Sequence, residues 1–396
     1  MSSKEQKIEE LLTRGVAEVI DKEHLKTRLI SGETLRIKFG IDPTSPNVHL
    51  GRAVALLKLR DLQELGHKII LIVGDFTGVI GDASDKESER PMLSPQVIEE
   101  NMKTYTQQIG KLIDLSKAEV HYNSTWLDNL GYEDIGQQAN AFSLAEFISR
   151  ENIKKRLDAG KRVSLREVLY PLMQGFDSIA TNADVELGGT DQRFNLLAGR
   201  RLQEVHGQQP QDILMTNLIL GTDGRKMSSS WGNTINLFDT PNDMFGKVMS
   251  MPDELIVSYF VHCTRVPMTE VKKIETDLVS GTNPRDAKVV LAKEIVTMYH
   301  GAEEATKAET YFIETFSKKQ TPEDVREVKV EKGVKLMDMM VEAELAESKS
   351  DARRKIEQGG VSIADEKITD INTVIEDQHK NQVMRVGKKD FMRIVF

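Results

Sequence analysis

One cysteine, Cys263, in 396 residues leaves no internal disulfide framework and no cysteine-based zinc site. No apolar run approaches the length of a membrane span, and the polar start MSSKEQKIEE has no signal-peptide core. A cytoplasmic location with no membrane partner is therefore the expectation. Internal repeats and low-complexity tracts are missing too. So is an overall basic charge: the chain carries −9, and any nucleic-acid partner must be met by a local basic patch. What remains is ordinary. With 39% hydrophobic and 29% charged residues, the composition is that of a soluble enzyme or binding protein of two or three domains.

The most informative stretch is KFGIDPTSPNVHLGRAVALL, residues 38–57. Leu35, Ile37 and Phe39 alternate as in a strand, and Gly40, Pro43 and Pro46 break the pattern into a tight loop. Gly51 then opens a helix carried by Val54, Leu56, Leu57, Leu59 and Leu62. His49 and the amides near Gly51 thus sit at a helix N-terminus just past a strand, where free N–H groups and the dipole suit a phosphate. An ordinary strand–loop–helix junction with a surface histidine is the equal alternative on this stretch alone.

Residues 5–30 repeat apolar side chains (Ile8, Leu11, Leu12, Val16, Val19, Ile20, Leu25) at helical intervals, predicting a lead-in helix or helix pair. KIILIVG at 68–74 reads as a strand buried on both faces, so strand, helix and strand make a βαβ unit of a doubly wound parallel, Rossmann-like sheet. The following loop, 74–86, is rich in Gly and Asp and lies where such sheets bind ligands. Residues 94–115 read as a helix, 119–122 as a strand and 124–163 as short helices, a helical insertion over about 90–163. Residues 164–180 form a buried helix, with Pro171 as a kink or first-turn residue. Strands near 185–189 and 213–216 flank a helix at 191–205, and 221–232 is a glycine-bounded polar loop. The expected division is a lead-in at 1–30, a catalytic α/β domain at 31–240, a helical domain at 241–318, a charged boundary at 319–330 and a small α+β domain at 331–396.

His-x-Gly at the first junction and Lys226-Met227-Ser228-Ser229-Ser230 in the last polar loop together resemble the two signatures of class I aminoacyl-tRNA synthetases. GIDPTSPNVHLG, GDFTGVIGD, YPLMQGFDS and GGTDQ follow in the order and at the intervals of the bacterial-type tyrosyl-tRNA synthetases. The resemblance covers essentially the whole chain. It implies a tyrosine–tRNA ligase that takes L-tyrosine, ATP with Mg²⁺ and tRNA(Tyr), with no protein metal site, and that acts as a homodimer. By the same resemblance Asp177 receives the phenol hydroxyl, Tyr170, Gln174 and Asp82 surround the ammonium group, and Gln192 lies near the α-carbon. Toward ATP it assigns Thr44 and His49 to the phosphates, Gly51, Gly188, Gly189 and Asp191 to the nucleoside, Gly40 and Asp42 to ATP without further detail, and Lys86, Arg90 and Lys226 to a pyrophosphate clamp beside Met227 and the loop serines.

The end of the chain resembles an S4 RNA-binding fold. Residues 348–396 hold ten Lys or Arg and eight Asp or Glu, a net of +2 against −11 for the rest. Arg353, Arg354, Lys355, Arg385, Lys388 and Lys389 are the expected tRNA contacts; a solvated helix face is the alternative.

Three positions depart from the family's best-known pattern. Arg52 stands where the first motif ends in histidine, Ser229 where the loop has a second lysine, and Lys38 where a tyrosine contacts the phenol. The competing readings are a non-catalytic RNA-binding relative, another nucleotidyltransferase, which would have no reason for an S4 tail, and a tryptophan-specific synthetase, against which Asp177 argues.

Overall fold

The structure, a computed structural model, describes residues 3–82, 92–317, 325–364, 366–387 and 390–396. Lys86, Arg90, Lys388 and Lys389 lie outside these. The chain divides into two compact units, Met1–Ala302 and Glu303–Phe396.

The first unit is built on a six-stranded sheet of β1 (Val16–Ile20), β2 (Arg36–Ile41), β3 (Lys68–Val73), β4 (Glu119–Tyr122), β5 (Val185–Gly189) and β6 (Asp212–Thr216), in the order β1-β6-β5-β2-β3-β4. All neighbours are parallel except β1, which runs antiparallel to β6. Burial on both faces explains the sequences: five of the six residues of KIILIV in β3 and all of DILMT in β6 are buried. Strand order reverses between β2 and β5, so the loops at their carboxyl ends part and leave a crevice there.

The lead-in differs from its helical expectation. It is α1 (Ser3–Thr13) and α2 (Lys22–Ser31) with β1 between them. Gly15 at φ 63° ends the first helix, and Asp21 at φ 59° turns the chain into the second while its side chain accepts from the His24 N–H. Between these turns Val16, Val19 and Ile20 complete the free edge of β6, a tertiary pairing that overrides local helical spacing.

Helix α3 (Leu50–Glu64) follows β2. The Gly- and Asp-rich loop after β3 contains a short helix, α4 (Asp75–Ile80). The insertion comprises α5 (Pro95–Ile109), α6 (Ser124–Leu127), α7 (Tyr132–Ala139), α8 (Leu144–Ile148) and α9 (Glu151–Asp158), with β4 inside it. Helix α10 (Leu165–Thr181) continues unbroken past Pro171. Proline removes the N–H that would bond the Glu167 carbonyl, and the Arg150 guanidinium donates to that carbonyl instead, at 3.3 Å. Helix α11 (Arg193–Val205) packs on α10. Helices α12 (Pro241–Ser250), α13 (Ile256–Cys263), α14 (Met268–Val279) and α15 (Pro284–His300) complete the unit, two of them opening on proline. The buried guanidinium of Arg14 donates to the carbonyls of Phe260 and Val261 in the last turn of α13 and of Thr264 and Val266 just beyond it, and the Thr264 hydroxyl also donates to Phe260.

The second unit holds α16 (Ala302–Phe312), β7 (Arg326–Lys329), α17 (Leu336–Glu342), α18 (Lys349–Glu357), β8 (Val361–Ile363), β9 (Glu366–Ile368), β10 (Val383–Val386) and β11 (Asp390–Val395). Its sheet has the order β7-β11-β10-β8-β9 and covers a core that includes Leu336, Met340, Ile356, Met384 and Ile394. Strand β7 lies inside the charged stretch read as a boundary: it pairs in parallel with β11 across Arg326↔Met392 to Lys329↔Val395. Its alternating polar residues hid it. No helix among the described residues is long and apolar enough to cross a membrane.

Candidate active site

At the carboxyl ends of β2 and β5 lies a cavity of about 310 Å³. Motifs spread over almost two hundred residues meet in it: Gly40, Asp42, Thr44, His49, Gly51 and Arg52 after β2, Asp82 after α4, Tyr170, Gln174 and Asp177 on α10, Gly188, Gly189, Asp191 and Gln192 after β5, and Lys226 to Ser230 from the polar loop. Lys38 does not line it. Its neighbour Phe39 does, and because successive strand side chains alternate in direction, Lys38 turns into the interior, where it is fully buried.

Asp177 is 3% exposed at one end of the cavity. The indole N–H of Trp126 donates to its Oδ1 at 2.8 Å, and the Asn123 amide to its Oδ2 at 3.4 Å. Burial pushes this carboxyl up to about 7, against the pull of Lys38 and the two donors. Asp42 is a second acceptor, half-buried: the hydroxyls of Thr77 and Tyr170 donate to it at 2.7 and 2.8 Å. Burial raises Asp42 to about 6, with both hydroxyls working against the shift. Gln192 donates to Asp82 at 2.8 Å, and Asn195 holds the Gln174 and Gln192 carbonyls at 3.1 and 3.0 Å. This end of the cavity is thus rich in carboxylates and amides, a match for an ammonium group and a hydroxyl donor.

The other end is cationic. His49 caps α3 with extended backbone and no side-chain cap bond. Burial, then the charges of Arg52 and Lys226, lower its imidazole to about 3, so it is neutral. Its Nδ1 is buried with no hydrogen-bond partner among the described residues. The expected row of free helix amides is mostly used: the Leu50 N–H goes to the Ile235 carbonyl and that of Arg52 to His49, while Gly51 N–H faces only the Met227 sulfur, at 3.2 Å. A Cβ on Gly51 would come within 2.9 Å of His49, and one on Gly189 within 2.6 Å of Asp191 and 2.9 Å of Leu218. A side chain at either position would therefore have to displace groups that line the cavity. At Gly40 a Cβ would meet nothing within 4 Å, and the missing side chain is simply open space.

Arg52 donates to Thr44 at 3.3 Å and to the Tyr105 hydroxyl, and its guanidinium carbon lies 6.0 Å from that ring's centroid. Lys226 pairs with Asp191 at 3.1 Å. Ser228 N–H donates to Asn233.

Sequence reasoning missed Asn123, at the junction between the strand read at 119–122 and the helices that follow, and Trp126, in the stretch read as generic short helices. Their signal was position, since they follow β4 directly at the sheet's ligand-binding edge. It also missed Thr77 and Tyr105, whose roles depend on contacts across elements.

In the second unit Arg353 and Arg354 are exposed and Lys355 half-buried on α18. Each has an acidic neighbour: Glu357 at 2.8 Å, and Asp351 at 2.6 and 2.9 Å. Arg385 on β10 packs over the Phe391 ring at 5.4 Å. Ion pairs at so exposed a surface contribute little to stability.

Comparison with known proteins agrees with this geometry. A profile described as tRNA synthetases class I (W and Y) matches residues 31–317, and one described as the tyrosine–tRNA ligase SYY-like C-terminal domain matches 317–394. The tyrosine–tRNA ligase of Carboxydothermus hydrogenoformans is 45% identical, over 98% of this chain and 97% of its own length. That of Thermotoga maritima is 44% identical, over 97% and 96%. The solved tyrosyl-tRNA synthetase of Archaeoglobus fulgidus, complexed with L-tyrosine, superposes with a TM-score of 0.61 at 25% identity, over 77% of this chain and 99% of its own. With a matched profile over most of its length and relatives this similar end to end, the chain belongs to the class I tRNA synthetases, in the tyrosine–tRNA ligase family.

Proposed function

We propose that the chain is a tyrosine–tRNA ligase. It activates L-tyrosine with ATP to tyrosyl-adenylate, releases pyrophosphate, and passes the tyrosyl group to the 3′ end of tRNA(Tyr). The observation that carries this is Asp177: a buried carboxylate, held by two neutral donors, that still has acceptor capacity toward the cavity. A phenol O–H is the donor that fits it, and an apolar phenylalanine ring would leave it unpaired.

In the first step a carboxylate oxygen of tyrosine attacks the α-phosphorus in line. The bond to the β-phosphate oxygen breaks, and pyrophosphate leaves with the electron pair. The attacking carboxylate is already ionised, so no general base is needed and catalysis is positioning plus charge stabilisation. Gln174, Tyr170, Asp82 and Gln192 orient the amino acid. Neutral His49 and Thr44 donate hydrogen bonds to the phosphates, while Lys226 exchanges its Asp191 partner for phosphate oxygens and frees that carboxylate for the ribose. Met227 and the loop serines close over the nucleotide. Mg²⁺ comes with ATP as part of the substrate, held by its phosphates; among the described residues no three His, Cys, Asp or Glu side chains converge on a metal-sized point. In the second step the ribose hydroxyl of the terminal adenosine displaces AMP from the adenylate. Arg353, Arg354, Lys355 and Arg385 of the S4-like domain hold the tRNA backbone.

The test is tyrosine-dependent exchange of pyrophosphate into ATP, with phenylalanine and tryptophan as controls, followed by charging of tRNA. No exchange with any of the three refutes the enzyme. Exchange without charging refutes only the ligase half.

Arg52 and Ser229 act on the same polyphosphate, and Arg52 supplies the cation that Ser229 lacks. Its links to Thr44 and Tyr105 aim it at that end. Arg52→Ala should lower kcat/KM for ATP by roughly 10²-fold, with KM for tyrosine little changed. Unaltered exchange would refute the compensation.

The active species is proposed to be a homodimer. This rests on the family resemblance; singly exposed apolar side chains such as Tyr132, Leu144 and Leu165, at 97, 66 and 68% exposed, are ordinary at a surface and do not carry it. Light scattering at micromolar concentration should give twice the 44.6 kDa chain mass; a monomer would refute the dimer.

A further inference from the structure

A lysine ammonium out of water is tolerated only where its charge is paired and its three donors are used. Lys38, 0% exposed on β2, meets both conditions. Its Nζ lies 2.9 Å from Oε1 of Glu186 and donates to the Gln174 carbonyl at 2.8 Å and the Ser178 hydroxyl at 2.7 Å. Glu186, on β5 and 1% exposed, accepts from the Gln174 side-chain amide at 3.2 Å, from Ser178 at 3.3 Å and from Gln211. Two strands on opposite sides of the sheet's reversal thus grip one turn of α10 through a single ion pair. That turn carries Gln174 and Asp177, two of the cavity's substrate-facing side chains. A buried ion pair is weak evidence for stability, because well-packed apolar side chains often serve as well or better. Its presence directly behind the site calls for another reason.

Resting on the function proposed above, we infer that Lys38 and Glu186 form a positioning pair for tyrosine recognition, fixing Gln174 and balancing the charge of Asp177 from behind without touching substrate. The two members act on Asp177 with opposite sign. The Lys38 cation favours its ionised form, and the Glu186 anion opposes it. The other groups facing Asp177 are the neutral donors Trp126 and Asn123 and, from its own helix, the Tyr170 phenol. Lys38 therefore replaces a direct phenol contact with an indirect one: its charge favours the anionic acceptor, and the hydroxyl needs no second partner from β2.

The experiment measures tyrosine affinity by equilibrium dialysis, and KM for tyrosine and for ATP by pyrophosphate exchange, across about pH 6 to 9. The proteins are wild type, Lys38→Met, Lys38→Arg and Glu186→Gln. In Lys38→Met the acidic limb of the tyrosine profile should move up by about one pH unit, weakening tyrosine about fivefold at pH 7 and about tenfold at pH 6, because one unit is a tenfold change in the ionised fraction only below the limb. Glu186→Gln should move the limb down, Lys38→Arg should stay near wild type, and KM for ATP should hold within about twofold throughout. Limbs that stay in place while only the melting temperature falls, or that move in the same direction in both charge-removing variants, overturn the inference. If Lys38→Met does not fold, Glu186→Gln decides alone: a downward limb supports the pair and an unmoved one overturns it. A wild-type chain that neither binds nor activates tyrosine overturns the function and this inference together. A wild-type chain that does both, with variants that leave the profile unmoved, overturns the inference alone.

Discussion

Asp177→Asn is expected to lower kcat/KM for tyrosine by about 10²–10³-fold, corresponding to the ~3–4 kcal/mol that a buried, charge-assisted hydrogen-bond network loses when one partner changes. The amide keeps the shape, but its NH₂ must face one of the two donors, Trp126 or Asn123, that the carboxylate now accepts from. Donor would meet donor, and the phenol would lose its charged acceptor. Discrimination against phenylalanine should shrink with the loss of activity, because it rests on the penalty of leaving Asp177 unpaired. Tyrosine-specific synthetases are themselves the reference case for such rejection, at ~10⁵-fold. Parallel exchange assays with tyrosine and phenylalanine measure both effects; a variant that keeps its preference would remove Asp177 from the recognition site.

The same carboxyl gives a pH dependence whose sign differs between binding and stability. Burial, the largest cause, holds it near 7, well above the ordinary carboxylate value. Tyrosine binding needs the ionised acceptor, so KM for tyrosine should rise as pH falls below about 7. Folding runs the other way. The folded chain keeps this proton up to about pH 7, while the unfolded chain releases it near 4. The folded state therefore binds more protons in that window, and this group's contribution to stability decreases as pH rises through it.

His49→Ala should lower kcat by ~10²–10³-fold, the scale of removing one preorganised donor to a developing charge, while leaving KM for tyrosine near its original value. The reason is the separation of the two ends of the cavity: His49 stands at the head of α3 beside Gly51 and Met227, among the cationic groups. Depressed to about 3, chiefly by burial, the imidazole is a neutral N–H donor throughout the working range. It should therefore add no titration of its own to the kcat profile. His49→Asn, which keeps a donor, should recover part of the loss. Equal losses in the two variants, or a rise in KM for tyrosine alone, would place the histidine's role elsewhere.

Much of the site was legible from residue order because its parts are short and local. A strand, a Gly/Pro-broken loop and a helix put His49 at a helix start whatever surrounds them, and a helical period puts Tyr170, Gln174 and Asp177 on one face. Other features depended on what lies opposite. Val16 to Ile20 fit a helical stripe as well as a strand, and only the exposed edge of β6 selects the strand. Arg326–Lys329 has no apolar signature, and β11 alone makes it a strand. The helix-start amides looked free from the sequence, yet the Ile235 carbonyl and the Met227 sulfur, each about 180 positions away, take up two of them.

By itself, then, the sequence determined the class of architecture, the order of the motifs and the chemical types brought to the reaction, since these follow from periodicity, turn residues and side-chain chemistry within a few positions. The tertiary structure decided which of those groups meet and in what state of charge. Asp177 is a raised carboxyl because the fold buries it, and a donor-held one because Trp126 and Asn123 arrive from beyond β4. Lys38 lies behind the site instead of in it because strand alternation turns it inward, where Glu186 completes an ion pair that no local pattern encodes. Burial and long-range pairing set those energies, and both are properties of the folded chain.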